Sequence, residues 1–430
     1  MWKTIFGVEW LLMRRDRGIV SAVVLFGILV AVAALVGASQ VSRLSEGIAQ
    51  LEIRQTDAQQ SVALKLAKAV AAGAPVMSND PRDPLYMGQT GATELAVLPL
   101  GGLAAMAVGQ RALLPQAMRV SMSVHLTPET NTEAPMMGPT SLSLGSFDLA
   151  FLFVVLFPLV VIALVYGVLS GERERGTLAM LLSQPISQQN LVFGKALARA
   201  VMLLCVTLFF LVVGVYFADV QLAEPRNLVS LGVTALVIIA WLLFWFGAGV
   251  FVNSFGYSSA NNALLLVGLW LGLVVILPGA IQVILNTVFP PSSSIHLMHE
   301  VRETGQAAEA ELDALVGSHD DRQKAEGYAK RVVDVQRVIA AKAAPVLKTA
   351  HRAETERRLL LRRLGYVSPA TLMQTALEDL AGSGQARYAS FDEQAEAYHE
   401  RFTQHFYDLI DGGQPFKSDD VDRVPRFHFE

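Results

Sequence analysis

Five stretches of about 20 residues in this chain carry no charged side chain, which is the length a helix needs to cross a bilayer while satisfying its own backbone hydrogen bonds. They run from Gly18 to Ala38, Leu149 to Ser170, Ala200 to Ala218, Leu228 to Val252 and Ala263 to about Phe289. The pattern predicts an all-α polytopic membrane protein. Polar residues 253–262 separate the last two stretches and predict a tight hairpin between antiparallel helices. Pro158 and Pro278 are expected to kink their spans, which neighbouring helices tolerate.

The first apolar run reads as an anchor rather than a cleaved leader, despite the loosely suitable Val36-Gly37-Ala38, because it is longer than a leader's core. The residues before it place Trp2, Ile5, Phe6, Trp10 and Met13 on one helical face, which suits a helix lying on the membrane surface before an elbow. Orientation follows from basic flanks, which stay on the cytoplasmic side. Lys3, Arg14, Arg15 and Arg17 precede the first span, and Arg173, Arg175, Lys195 and Arg199 lie between the second and third; the loop between spans three and four has only Arg226. The amino terminus is therefore expected inside, with 39–148 and 290–430 as extracytoplasmic inserts flanking a 149–289 block of four spans. The first insert opens with a helical stretch through about Ala72, turns Pro- and Gly-rich around Asn79 to Pro84, and ends in the Met/Thr/Pro-rich 127–146. The second is strongly helical from Val301 to Leu364, with breaks expected near His319 and at Pro345. Ser368-Pro369 opens a further helix that Gly382 stops.

Composition agrees with a chain that is part membrane and part aqueous domain: 430 residues, 53% hydrophobic and only 17% charged. A net charge of -4 supplies no basic surplus for nucleic acid, which is excluded as a partner. The single cysteine, Cys205, lies in an apolar run and can form neither an internal disulfide nor a multi-cysteine metal site.

Between spans two and three stands an ordered series: Glu172, Glu174, Gly176-Thr177, Leu181-Leu182, Pro185-Ile186-Ser187 and Gly194-Lys195. It resembles the ABC-2-type permeases, in which a helix with Glu, Gly-Thr and a Leu-Leu pair, then a Pro-Ile/Val-Ser turn and a Gly-Lys, joins these spans. The resemblance implies that 171–195 is a coupling element resting in a groove of a separate ATPase. Leu95 to Pro115, Ser146 to Phe151 and Ser368 to Tyr398 are similar to a subfamily with two large extracytoplasmic inserts, related to permeases of nitrous-oxide-reductase maturation and gliding motility. Such permeases usually carry a sixth span after the second insert. This sequence stops at Arg423 to Glu430, where that span is expected to begin, so the native gene is expected to continue into about 20 apolar residues.

No Gly-x-x-x-x-Gly-Lys-Ser/Thr loop occurs, so this chain is expected to bind no cofactor itself, ATP and Mg²⁺ being held by the partner ATPase. None of the five spans contains Asp, Glu, Lys, Arg or His, which favours an externally powered machine over an ion-coupled one. Enzyme chemistry finds no residues: His296-Leu297-Met298-His299-Glu300 has the wrong order for a zincin, and His399-Glu400 meets its next histidine, His405, too late. Gly268 and Gly272, one turn apart in span five, mark a possible contact between two permease copies. The helical 301–364 is expected to pack on the first insert or to bind a periplasmic partner.

The expectation is therefore a non-enzymatic permease subunit of an ABC exporter in a bacterial inner membrane, paired with a second copy or a paralogue and with two ATPase subunits. A membrane scaffold or sensor acting through its outer helices is the alternative.

Overall fold

The computed structural model describes residues 2–73, 76, 80–108, 115–122, 147–217, 224–289 and 327–430, with isolated positions 303, 306 and 310. The histidine motif at 296–300, the break near His319 and the 127–146 stretch lie outside the described residues. The protein is an all-α polytopic membrane protein, and all five apolar runs fall in helices long enough to cross a bilayer.

α1 (Trp2–Arg15) and α2 (Arg17–Ala72) are separated by one residue, Asp16. Its carboxylate accepts from the amides of Gly18 at 2.9 Å and Ile19 at 3.2 Å, capping α2 and fixing the elbow. α2 does not stop where its apolar run ends at Ala38. It continues as one helix to Ala72, where Gly73 adopts a left-handed conformation. A short α3 (Pro84–Tyr86) leads to the antiparallel pair β1 (Glu94–Val97) and β2 (Ala117–Val120), with Leu95 opposite Arg119 and Ala96 opposite Met118. The sequence pattern had not announced this two-stranded sheet.

Span two is α4 (Leu149–Glu174), followed by α5 (Thr177–Leu182) and by the remaining spans α6 (Gln188–Phe217), α7 (Pro225–Ser254) and α8 (Ser259–Val288). α6 begins three turns before the expected Ala200, so Lys195 and Arg199 are inside a helix and not in a loop. Pro158 and Pro278 each follow a π-helical turn, at Leu152–Leu156 and Leu271–Ile276. The wider turn makes room for the proline ring. Carbonyls beside Pro158 find donors on other spans: Trp241 Nε1 donates to Phe153 O at 2.9 Å and Trp270 Nε1 to Val155 O at 3.0 Å.

After the spans come α9 (Tyr328–Gly365), α10 (Pro369–Ala381) and α11 (Gln385–Asp411). Pro345, expected as a break, sits inside α9, which continues past it. α10 begins as expected, with Ser368 Oγ accepting from Thr371 N at 3.2 Å and Gly382 closing it.

Two apolar cores result. One joins the spans, with Phe26, Phe153, Phe157 and Trp245 buried, and it also takes in Leu103, Met106 and Ala107 from the first insert and Ala370, Met373, Leu377 and Ala381 from α10. The other is the extramembrane domain. There Leu66 of α2, Met118 and Val120 of β2, and Val333 of α9 close around Phe391, Tyr398, Phe402 and Phe406 of α11. Each such ring contributes about 1.5–3 kcal/mol by leaving water. Both inserts thus build one domain, at the bundle end opposite the elbow.

Candidate functional site

At the elbow end, α4 leaves its regular course at residues 166–169 before the last helical turn, Ser170–Glu174. Gly176, at φ 72°, takes the left-handed conformation that turns the chain into α5. No residue of α5 is buried, and Met180 is 65% exposed and Leu182 39% exposed. Leu181 is half-buried, while Pro185 in the following turn is exposed. An apolar knob is therefore presented at this end of the molecule.

Behind the knob is a buried ion-pair network. Lys195 Nζ lies 2.6 Å from Glu172 Oε1 and 3.5 Å from Glu9 Oε2. Arg199 donates to Glu9 Oε1 through Nε at 3.0 Å and Nη2 at 2.6 Å, and through Nη1 to the carbonyl of Leu164. Thr177 Oγ1 donates to the Glu172 carboxylate and to its backbone carbonyl. Glu9 is 5% exposed, as two carboxylates face two cations. Removal from water on this scale is offset only by balanced charges and close hydrogen bonds, and here Glu9 and Glu172 face Lys195 and Arg199. The network ties α1, the end of α4, the start of α5 and α6 together.

Gly194 serves the same junction. A Cβ there would lie 2.9 Å from Ile5 Cγ2 and 3.2 Å from Trp2 O, so the missing side chain lets α1 cross close to α6. Trp2 and Phe193 meet edge to face beside it. The Ile5, Glu9 and Met13 face of α1 is turned onto the protein, and Val8, Leu11 and Leu12 are among the side chains left exposed. The aromatic stripe read from sequence is thus partly a packing face.

A second polar cluster ties α4 to the α7–α8 hairpin. Asn253 Nδ2 donates to Val165 O at 3.0 Å and to Gly249 O at 2.9 Å, and its Oδ1 accepts from Asn262 Nδ2 at 3.2 Å. Asn262 also donates to Tyr166 O at 3.3 Å. These asparagines satisfy the carbonyls that α4 frees where it unwinds. Glu174 Oε1 accepts from Ser259 N at 2.6 Å, at the start of α8, and Arg173 donates to Gly256 O.

The residues singled out in sequence thus divide. Glu172, Thr177, Gly194 and Lys195 come together, but face inward. Glu174 caps the hairpin helix, and its carboxylate is engaged within the chain and not held ready for a partner. Gly176, Leu181, Leu182 and Pro185 shape the exposed knob. Gly268 and Gly272 lie apart, on α8, where an added Cβ at either would meet nothing within 4 Å. Sequence reading missed Glu9, Met180, Arg199, Asn253 and Asn262. For Glu9 a signal was present: a carboxylate on the same helical face as Ile5 and Met13 needs a buried cation.

A model of the ABC-2 family transporter protein matches residues 3–404, nearly the whole chain. The chain belongs to the ABC-2 family of transporter proteins. The probable ABC transporter permease protein NosY of Pseudomonas aeruginosa is 36% identical over 75 residues, which cover 17% of this chain and 27% of the relative. The chain therefore matches about a quarter of that relative's length. No solved structure matches. Family and fold together make this a multi-pass membrane protein of the ABC-2 transporter family.

Proposed function

We propose that this chain is the membrane-spanning subunit of an ATP-driven exporter in a bacterial inner membrane, with the elbow and α5 in the cytoplasm and the helical domain outside. Two ATPase subunits, holding ATP and Mg²⁺, seat the α5 knob, and a second copy or a paralogue completes the transmembrane unit, with Gly268 and Gly272 of α8 as its contact. What carries the reading is one combination. An exposed apolar knob, Met180 and Leu182, stands directly on a buried ion-pair network that joins four helical elements.

The physics of such an arrangement is transmission. An ATPase closing under α5 loads Glu172 and Thr177, and their hydrogen bonds pass the load to Lys195 of α6 and, through Glu9, to α1. Charge-assisted bonds of 2.6 Å resist displacement better than apolar contact alone. The Glu174 cap and the asparagine pair carry the same load to the α7–α8 hairpin. The bundle then tilts as connected pieces between its inward- and outward-open states.

The test is Met180→Asp and Leu182→Asp, expressed together with the ATPase. Both positions are exposed, so insertion and yield should be unchanged. A charge buried against an apolar groove should weaken association by about 1–4 kcal/mol, so the ATPase should be lost on purification and transport with it. Full retention of a substrate-stimulated ATPase by both variants refutes the coupling role and favours a scaffold acting through the outer domain.

A further inference from the structure

The carboxyl-terminal third of α9 is held at the membrane boundary by two fixed points. On one side Arg357 donates to Asn286 Oδ1 at 3.3 Å, in the last turn of span α8. On the other, α10 starts four residues after Gly365 and places Ala370, Met373 and Leu377 in the apolar core of the spans. Residues 352–367 therefore lie at the level where the spans leave the hydrocarbon, on the side of the extramembrane domain.

What this segment shows there is unlike an ordinary aqueous surface. The twelve residues 352–363 hold five arginines and two glutamates. Glu354 lies 3.1 Å from Arg358 and 4.0 Å from Arg357, and Glu356 lies 3.4 Å from Arg352. These pairs leave a cationic surplus toward the end of the helix. Among the described residues, Arg363 is exposed and forms no ion pair, and Arg362 forms none either, with Asp379 as a nearby carboxylate. Large apolar side chains stand in the open beside them: Leu359 is 49% exposed, Tyr366 62% and Val367 64%. In water that exposure is unfavourable. At a bilayer surface the same set is complementary, with guanidinium groups meeting lipid phosphates in paired hydrogen bonds and the apolar and aromatic groups entering the acyl boundary.

We propose that residues 352–367 form a seat for anionic phospholipid in the leaflet on the domain side, Arg362 and Arg363 binding the headgroup while Leu359, Tyr366 and Val367 rest among the chain ends. The seat rests on the membrane placement of the spans and is independent of the coupling role of α5. Because α10 follows directly and packs on the spans, lipid bound here also fixes the entry of α10 into the bundle.

The test uses the full chain with Cys205→Ser and Tyr366→Cys, labelled at position 366 with bimane and reconstituted into vesicles. In one arm brominated phosphatidylglycerol is diluted into plain phosphatidylcholine, and in the other the bromine is on the phosphatidylcholine. Two arginines near a surface, each worth about a factor of five, allow a preference of up to about twenty-five-fold for the anionic lipid around position 366. Arg362→Gln with Arg363→Gln should bring that preference back to parity, while Arg14→Gln with Arg15→Gln, at the elbow end, should not. Inorganic phosphate should leave the preference intact. Equal quenching in both arms overturns the selectivity, absence of quenching overturns the lipid contact, and abolition of the preference by phosphate reassigns the arginines to a soluble anion.

Discussion

Replacing Glu9 by Gln is the sharpest probe of the elbow-end network, because Glu9 is the only carboxylate within reach of both Lys195 and Arg199 among the described residues. The side chains of Glu9, Lys195 and Arg199 are 6%, 11% and 15% accessible, so water screens them little. Breaking a buried pair from one side costs about 3–5 kcal/mol, and Gln, whose amide oxygen still accepts from the guanidinium, belongs near about 3 kcal/mol. For a chain of this size that corresponds to a fall of roughly 3 °C in the unfolding midpoint, read by tryptophan fluorescence of the purified protein in detergent micelles. Arg199→Gln removes the facing charge. The double variant should therefore be more stable than the sum of the single losses predicts, by about 1–3 kcal/mol. Protease should also reach α1 sooner in Glu9→Gln than in wild type. A wild-type midpoint in Glu9→Gln, or strict additivity in the double variant, would show that the contact at 2.6 Å does not hold the elbow.

Three further outcomes are expected. Asn253→Ala takes the acceptor from the buried amide of Leu169 and one bond each from Val165 O and Asn262 Nδ2, a loss of about 1–3 kcal/mol that the same melts should register; an unchanged midpoint would mean that the unwound turn of α4 is satisfied otherwise. Glu378 on α10 is held above the usual carboxylate range by burial and, secondarily, by the Asp148 carboxylate, against a hydrogen bond from Gln374. A raised folded-state value means stability present below the unfolded pKa and lost as pH rises through the folded one. Glu378→Gln should therefore melt at or above wild type at pH 7.5, with the advantage shrinking toward pH 4, and a variant weaker than wild type at pH 7.5 contradicts the assignment. In a Cys205→Ser background, cysteines at Ser45 and Ser390 should react with an impermeant thiol reagent in intact cells and one at Ser187 should not; the reverse pattern inverts the proposed orientation.

How much of this was legible in the sequence depends on whether the information was local. Ser368-Pro369 and Gly382 bounded α10 because cap geometry is set within a few residues. Charge-free runs located the spans because a bilayer imposes a length. The long reach of α2 was half-visible: the pattern was helical to Ala72, but nothing at Ala38 said that span and insert are one helix. Pro345 misled because a proline breaks a helix only when the lost hydrogen bond and the ring clash are not absorbed, and α9 absorbs them. The pairing of Glu9 with Arg199, 190 positions apart, is a tertiary fact, and so is the use of Gly194 as a crossing point. Motif spacing singled out the loop that carries the exposed knob, yet its charges Glu172, Glu174 and Lys195 are engaged inside the chain, and the exposed apolar surface falls to Met180 and Leu182.

The unbroken course of α2 makes it a lever. From Ala38 to Leu66 it extends about 42 Å at 1.5 Å per residue, so a tilt of about 5° in the bilayer sweeps Leu66 sideways by nearly 4 Å. Leu66 is clamped among the aromatic rings of the extramembrane domain, which cannot yield that far without following. Movement begun at Asp16 thus arrives at the far end of the molecule enlarged, and the outer domain is driven like the head of an oar.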